Sequence, residues 1–160
     1  MHRRAFLFAA AGLAGLPWTA SAQPAGVRIL HPWVRPTARG QNAAGYMTVS
    51  NLGRAPDALL RVECAAATRV SLHESRMAAG VMSMQPLARA TVPAGGQLDF
   101  APGGPHVMLE GLRAALVEGQ RVPAVLVFQR AGRVRIEFRV QAAGPAMAPM
   151  DMGSMPGMSH

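Results

Sequence analysis

The chain of 160 residues has no lysine, a single cysteine, a single tyrosine and few aromatics of any kind, at 5% of the total. Each scarcity removes a class of protein. With Cys64 alone, no intramolecular disulfide can form, and its apolar surroundings from Leu59 to Ala67 read as those of a buried small hydrophobe rather than a reactive thiol. Acyl-transfer catalysis would need a nucleophile with a base and an orienting acid, and no nucleophile-elbow pattern occurs, so the chain is read as a non-enzyme. All 16 basic residues are arginine against 8 acids. They are scattered rather than clustered and lack interleaved aromatics, which argues against nucleic-acid binding. The net charge of +8 instead favours solubility, and docking on an acidic partner or an anionic membrane face.

No apolar run reaches the roughly 20 residues that a bilayer crossing requires. The apolar run that does occur, Ala5 to Leu16, follows Arg3-Arg4 and precedes Pro17, Trp18 and the small-residue triplet Ala20-Ser21-Ala22. That order is expected of a signal peptide over residues 1–22, with a mature chain starting at Gln23 in the periplasm. Arg3-Arg4-Ala5-Phe6-Leu7 resembles a twin-arginine signal, although His2 stands where Ser or Thr is usual. Residues 23–141 then make one modest domain.

The domain reads as all-β. Residues 133–140 alternate polar and apolar with period two, as a strand with one face in a core does. Val122 to Phe128 is a more continuous apolar run, expected to be buried on both sides, with Ala131-Gly132 in the hairpin turn between them. Other strands are expected at Val27–Val34, Ala43–Ser50, Leu59–Glu63, Thr68–His73, Val81–Gln85 and Gln97–Ala101. Gly111 to Val117 is the one stretch suited to a short helical turn. Many short strands with Gly and Pro between them predict an antiparallel sandwich or barrel.

Against this background one array stands out: His73, Met84, His106 and Met108, spaced H-x10-M-x21-H-x-M. Thioether sulfur is a soft donor, poor for magnesium, calcium or zinc and suited to Cu(I), while imidazole adds affinity and is neutral near pH 7. Taken singly, a strand methionine is usually core filler and a lone histidine a surface residue. Jointly, two of the four histidines outside the signal fall in the array, whereas His31 has no methionine at comparable spacing. In a strand, His106 and Met108 point the same way and Val107 the other. The same parity puts Met82 on Met84's face, and Met77 is near, so spacing alone leaves the second ligand open. Glu74, beside His73, is either a hydrogen-bond partner of a ligand imidazole or a solvated carboxylate.

The array, with Trp33-Val34-Arg35-Pro36, Gly45-Tyr46-Met47 through Asn51, His73-Glu74, Gly80-Val81-Met82-Ser83-Met84 and Gly103-Gly104, resembles the periplasmic copper chaperone family PCu(A)C. The resemblance covers roughly residues 28–140; Pro105, where a larger residue is expected, is a minor departure. It implies a cupredoxin-like sandwich and a Cu(I) site made of His73, Met84, His106 and Met108, resolving toward Met84 the choice that parity leaves open with Met82. It also implies delivery of Cu(I) for the binuclear copper centre of cytochrome c oxidase, directly or through a Sco-type partner, by a monomeric carrier. The same ligands would serve a periplasmic copper buffer or resistance protein that sequesters without delivering. A blue-copper electron carrier is disfavoured, because its cysteine ligand lies shortly before a histidine and methionine near the chain end, and Cys64 does not.

Residues 142–160 carry Met147, Met150, Met152, Met155, Met158 and His160 among Gly, Pro, Ala, Ser and Asp151. That composition cannot build a core, and the tail is expected to be disordered. Closely spaced thioethers there are expected to offer an auxiliary copper site, for Cu(I) or, through His160, Cu(II).

Overall fold

A computed structural model describes residues 26–142. The expected signal peptide, and the expected tail beyond residue 142, lie outside the described residues. Ten strands and no helix occupy the described chain: β1 (Val27–Val34), β2 (Ala43–Asn51), β3 (Asp57–Glu63), β4 (Ala67–Ala78), β5 (Val81–Pro86), β6 (Ala90–Val92), β7 (Gln97–Phe100), β8 (Pro105–Leu112), β9 (Arg121–Phe128) and β10 (Arg133–Val140). They hydrogen-bond in the order β5-β4-β8-β2-β1-β10-β9-β3-β6, with β7 beside the second half of β2. The path is open, and contacts of β3 with β4 and of β2 with β6 show that it folds over on itself around one core. The all-β expectation therefore holds. One pairing departs from it: β1 and β10 run parallel, through Trp33↔Arg139 and Val34↔Val140.

β10 shows why period two specifies this fold. Val134, Ile136, Phe138 and Val140 are buried while Arg133, Arg135, Glu137 and Arg139 are exposed. β9 was expected to be buried on both faces and is so only at Leu126, Val127 and Phe128; Arg121 and Pro123 point to solvent. The ladder has a single core face, so β9 must alternate, and Val127 is covered on the outer face because Arg61 and Arg133 stand opposite it in register. Long arginine stems shield apolar surface in this way.

The stretch Gly111 to Val117 forms no helical turn. Leu112 ends β8, and Leu116 is buried by a bridge to Thr37, with backbone N–H to O distances of 2.8 and 3.1 Å. Those long-range bonds take the backbone groups that a helix would have used. The strand geometry expected around His106 and Met108 is that of β8, whereas β6 is not anticipated, because three residues carry too little alternation to read.

At the centre, Gly45 lets β2 lie against the Phe138 ring: a Cβ there would come within 3.3 Å of it. Phe138 is fully buried and joins β10 to the middle of the ladder. Phe138→Ala is expected to destabilise the domain by about 3–5 kcal/mol. Urea unfolding should show this as a lowered midpoint with an unchanged slope.

Candidate metal centre

β4 and β8 pair antiparallel without a break from Val70 to Glu74, which sets His73 directly opposite His106 and Ser71 opposite Met108. β4 also pairs with β5, setting Ser75 opposite Met84 and His73 opposite Pro86. Directly paired residues point to the same face. His73, Met84, His106 and Met108 therefore share one face of the β5-β4-β8 end of the ladder. Their neighbours Leu72, Val107 and Leu109 point the other way and are core. Burial on this face is graded: Met84 is 54% exposed, His73 and Met108 are intermediate, and His106 is only 3% exposed.

A row of rings crosses the strands and encloses His106. Trp33 stands opposite Tyr46, at 4.7 Å between ring centroids; Tyr46 lies 6.4 Å from His106, and His106 lies 6.1 Å from His73, nearly parallel. Trp33 reaches this row because β1 shifts register between Leu30 and Trp33, where His31 takes φ 48°. That conformation is uncommon for a non-glycine residue and is held here by the strands on either side.

Hydrogen bonds fix both imidazoles. His106 Nδ1 lies 3.0 Å from the Gly104 carbonyl oxygen, which can only accept, so Nδ1 carries the proton. The neutral ring then presents Nε2 as a bare lone pair, and that atom is buried with no hydrogen-bond partner. An orphaned buried acceptor is costly in a folded protein, and its lone pair is a donor suited to a metal ion. His73 Nδ1 lies 3.3 Å from Ser71 Oγ, whose single proton is donated in a short bond to Glu110. Ser71 therefore accepts from His73 Nδ1–H, which leaves Nε2 as the lone-pair nitrogen of the second imidazole. Chains of this kind, from ligand imidazole to hydroxyl to carboxylate, orient metal-binding histidines. Glu74 is not part of this chain: it alternates away from His73 and pairs with Arg76. Ser71 and Glu110 were missed by sequence reading because 39 residues separate them, and only the strand register brings them together.

A single ion needs no deep cavity. A concavity of about 810 Å³ lies elsewhere, along β9 and β10, and includes Cys64, Pro123 and Ile136 in its lining. Cys64 is half-buried with its Sγ 3.5 Å from the Pro123 carbonyl oxygen, and burial pushes its thiol pKa up from the ordinary value. Among the described residues, no group of three or more His, Cys, Asp or Glu could hold a metal. On the β5-β4-β8 face the side chains of His73, His106, Met84 and Met108 put two nitrogen-bearing rings and two thioethers on the same side.

An all-β ladder carrying paired histidines and methionines on one outer face defines a small domain of the PCu(A)C type. The chain belongs to the LpqE-like family: the family model described as "Putative lipoprotein LpqE-like" matches residues 27–140. A curated relative from Leifsonia xyli subsp. xyli, named "Putative lipoprotein Lxx21020", is 35% identical over 111 residues, 69% of this chain. The match spans 66% of that relative's length. Among solved structures, the copper-bound PCuAC domain from PmoF2 is 30% identical with a TM-score of 0.64, covering 75% of this chain and 96% of that one. The solution structure of CuI-DR1885 from Deinococcus radiodurans is 28% identical with a TM-score of 0.57, covering 77% and 83%.

Because the Cys64 thiol is held protonated above its usual range, its thiolate is scarce at neutral pH and increases only as pH passes the raised value. Its alkylation by iodoacetamide should be slower at pH 8 than that of a small free thiol and still be rising above pH 9, measured by mass spectrometry over time.

Proposed function

We propose that this protein is an exported, non-catalytic Cu(I) carrier that binds its ion on the outer face of β4, β5 and β8 through His73, Met84, His106 and Met108. The observation that carries this reading is the buried, unpartnered Nε2 of His106, on a ring whose centroid lies 6.1 Å from that of His73 across one strand pair. The donor set fits the ion. Two thioethers select a soft monovalent metal, and two neutral imidazoles with fixed tautomers raise affinity without adding charge. The copper-bound and CuI forms of the similar domains support the same assignment of cargo.

The gradient of exposure suits transfer. An incoming ion meets Met84 and His73 at the surface before it reaches the buried imidazole, and an acceptor can approach by the same side. Neutral thioethers donate less strongly than thiolates, so exchange onto a partner offering cysteine sulfur runs downhill. A site without thiolate also cannot be lost to disulfide formation in an oxidising compartment. We assign the acceptor to the assembly of the binuclear copper centre of cytochrome c oxidase, either the subunit that carries it or a Sco-type chaperone, and the location to the periplasm. The tail methionines Met147 to Met158 and His160 are proposed as an auxiliary copper site.

Anaerobic Cu(I) titration against a chromophoric chelator tests the ligand set. His106→Ala and Met108→Leu should weaken binding severely, and Ser71→Ala, which removes only the orienting hydroxyl, by about 10–100-fold. Wild-type affinity in all three variants would remove the site. Incubation of the loaded protein with an apo-acceptor bearing two cysteines should empty it; retention of copper would instead indicate a buffer that does not deliver.

A further inference from the structure

The β4-β5 hairpin carries two methionines that the four-ligand site does not use. Met77 is 66% exposed and Met82 is 61% exposed, whereas the strand methionine Met47, in β2, is 2% exposed and is core. The usual explanation of a methionine in a strand, that it fills the interior, holds for Met47 and fails for this pair. Exposed thioethers of this kind gain nothing from burial, so their chemistry is the remaining reason to ask what they do.

Their geometry is fixed. Ala79 and Gly80 both have positive φ, 50° and 77°, which closes a two-residue turn between the paired Ala78 and Val81. Positive φ at both central positions is the type I′ pattern, whose twist matches the flanking strands and locks their register. An alanine in that conformation costs about 1–2 kcal/mol, so the tight turn is maintained by the pairing around it. Met77 then stands directly opposite Met82. Farther down the hairpin, Leu87 N–H donates to the Leu72 carbonyl. By alternation, pairs at odd β4 positions are the non-hydrogen-bonded ones, where side chains stand closest. Met77 with Met82, Ser75 with Met84, and His73 with Pro86 are such pairs, one behind the other on one face.

We infer that Met77 and Met82 form a second, weaker thioether site that captures a soft monovalent ion at the hairpin tip and passes it along the face through Met84 to His73. Two flexible thioethers from a close cross-strand pair can meet around one ion, and methionine's three rotatable bonds let them do so without moving the backbone. Softness excludes magnesium, calcium and zinc from such a pair. Met84, two residues from Met82 on the same strand face, belongs to the lower group and stands between it and the tip pair. The direction of transfer follows from donor number and type: two thioethers at the tip against two thioethers plus two imidazoles below. This relay rests on the four-ligand reading above, whereas ion capture at the tip does not.

The test uses the full chain with ¹³C-methyl methionine and Ag(I), a redox-inert soft monovalent ion, in place of Cu(I). The Met84 and Met108 methyl signals should shift with the first equivalent, and those of Met77 and Met82 with further addition. In a His73→Ala/His106→Ala variant the Met77 and Met82 shifts should persist, which separates failure of the tip site from failure of the four-ligand site. Met77→Leu/Met82→Leu keeps the apolar shape and removes both sulfurs. It should abolish the second step and slow loading from a weak Cu(I) donor, while leaving the final affinity of the tight site unchanged. Unshifted Met77 and Met82 methyls under excess Ag(I) would overturn the proposal and leave the pair as a contact surface for a protein. Wild-type loading rates in the double variant would overturn the relay.

Discussion

The antiparallel register between β4 and β8 is the constraint on which the rest depends. It places His73 against His106 and Ser71 against Met108, and in the same step sends Leu72, Val107 and Leu109 into the core. Because side chains alternate with period two, a slip of one residue would exchange the two faces, burying imidazoles and thioethers while exposing leucine and valine. The hydrophobic effect thus holds the histidine and methionine face in place without any contribution from a metal. Each core side chain removed from water contributes about 1.5–3 kcal/mol, so the register is strongly specified wherever these residues interleave.

The same sheet gives the face its asymmetry. Toward the centre of the ladder, Tyr46 and Trp33 wall off His106; toward the edge, β5 is the last strand and leaves Met84 in solvent. A binding face on an edge hairpin is reachable by a second protein, and one backed by a packed core keeps its geometry when emptied. The tautomers of both histidines are set by groups within the fold, Gly104 for one and the Ser71 to Glu110 pair for the other. Little reorganisation of the two rings would then be required on binding a ligand. The short Ser71 to Glu110 bond also crosses from β4 to β8, so the group that orients one imidazole helps to hold together the strands that supply both.

Much of this was legible in the sequence, for physical reasons that differ by element. β10 could be read directly because one of its faces is solvated and alternation survives in the residue types. β9 could not be read as fully, since three consecutive buried residues resemble a strand covered on both sides until the arginines opposite Val127 are placed. The short β6 and the irregular path to Leu116 depend on partners far along the chain, and no local pattern records them. The soft donor set was visible as a spacing of residue types. Its supporting groups were not: Ser71, Gly104 and Glu110 are ordinary residues whose roles arise only when register brings them beside an imidazole. The choice among Met77, Met82 and Met84 was ambiguous by parity, and the structure keeps all three on one face.

The central claim is that imidazole nitrogen and thioether sulfur from three adjacent strands meet around one Cu(I). X-ray absorption fine structure of the anaerobically loaded protein at one copper per chain tests it most directly. A first shell containing both nitrogen and sulfur scatterers is predicted, with the imidazole multiple-scattering pattern present. A shell of sulfur alone, or of nitrogen and oxygen without sulfur, would contradict it.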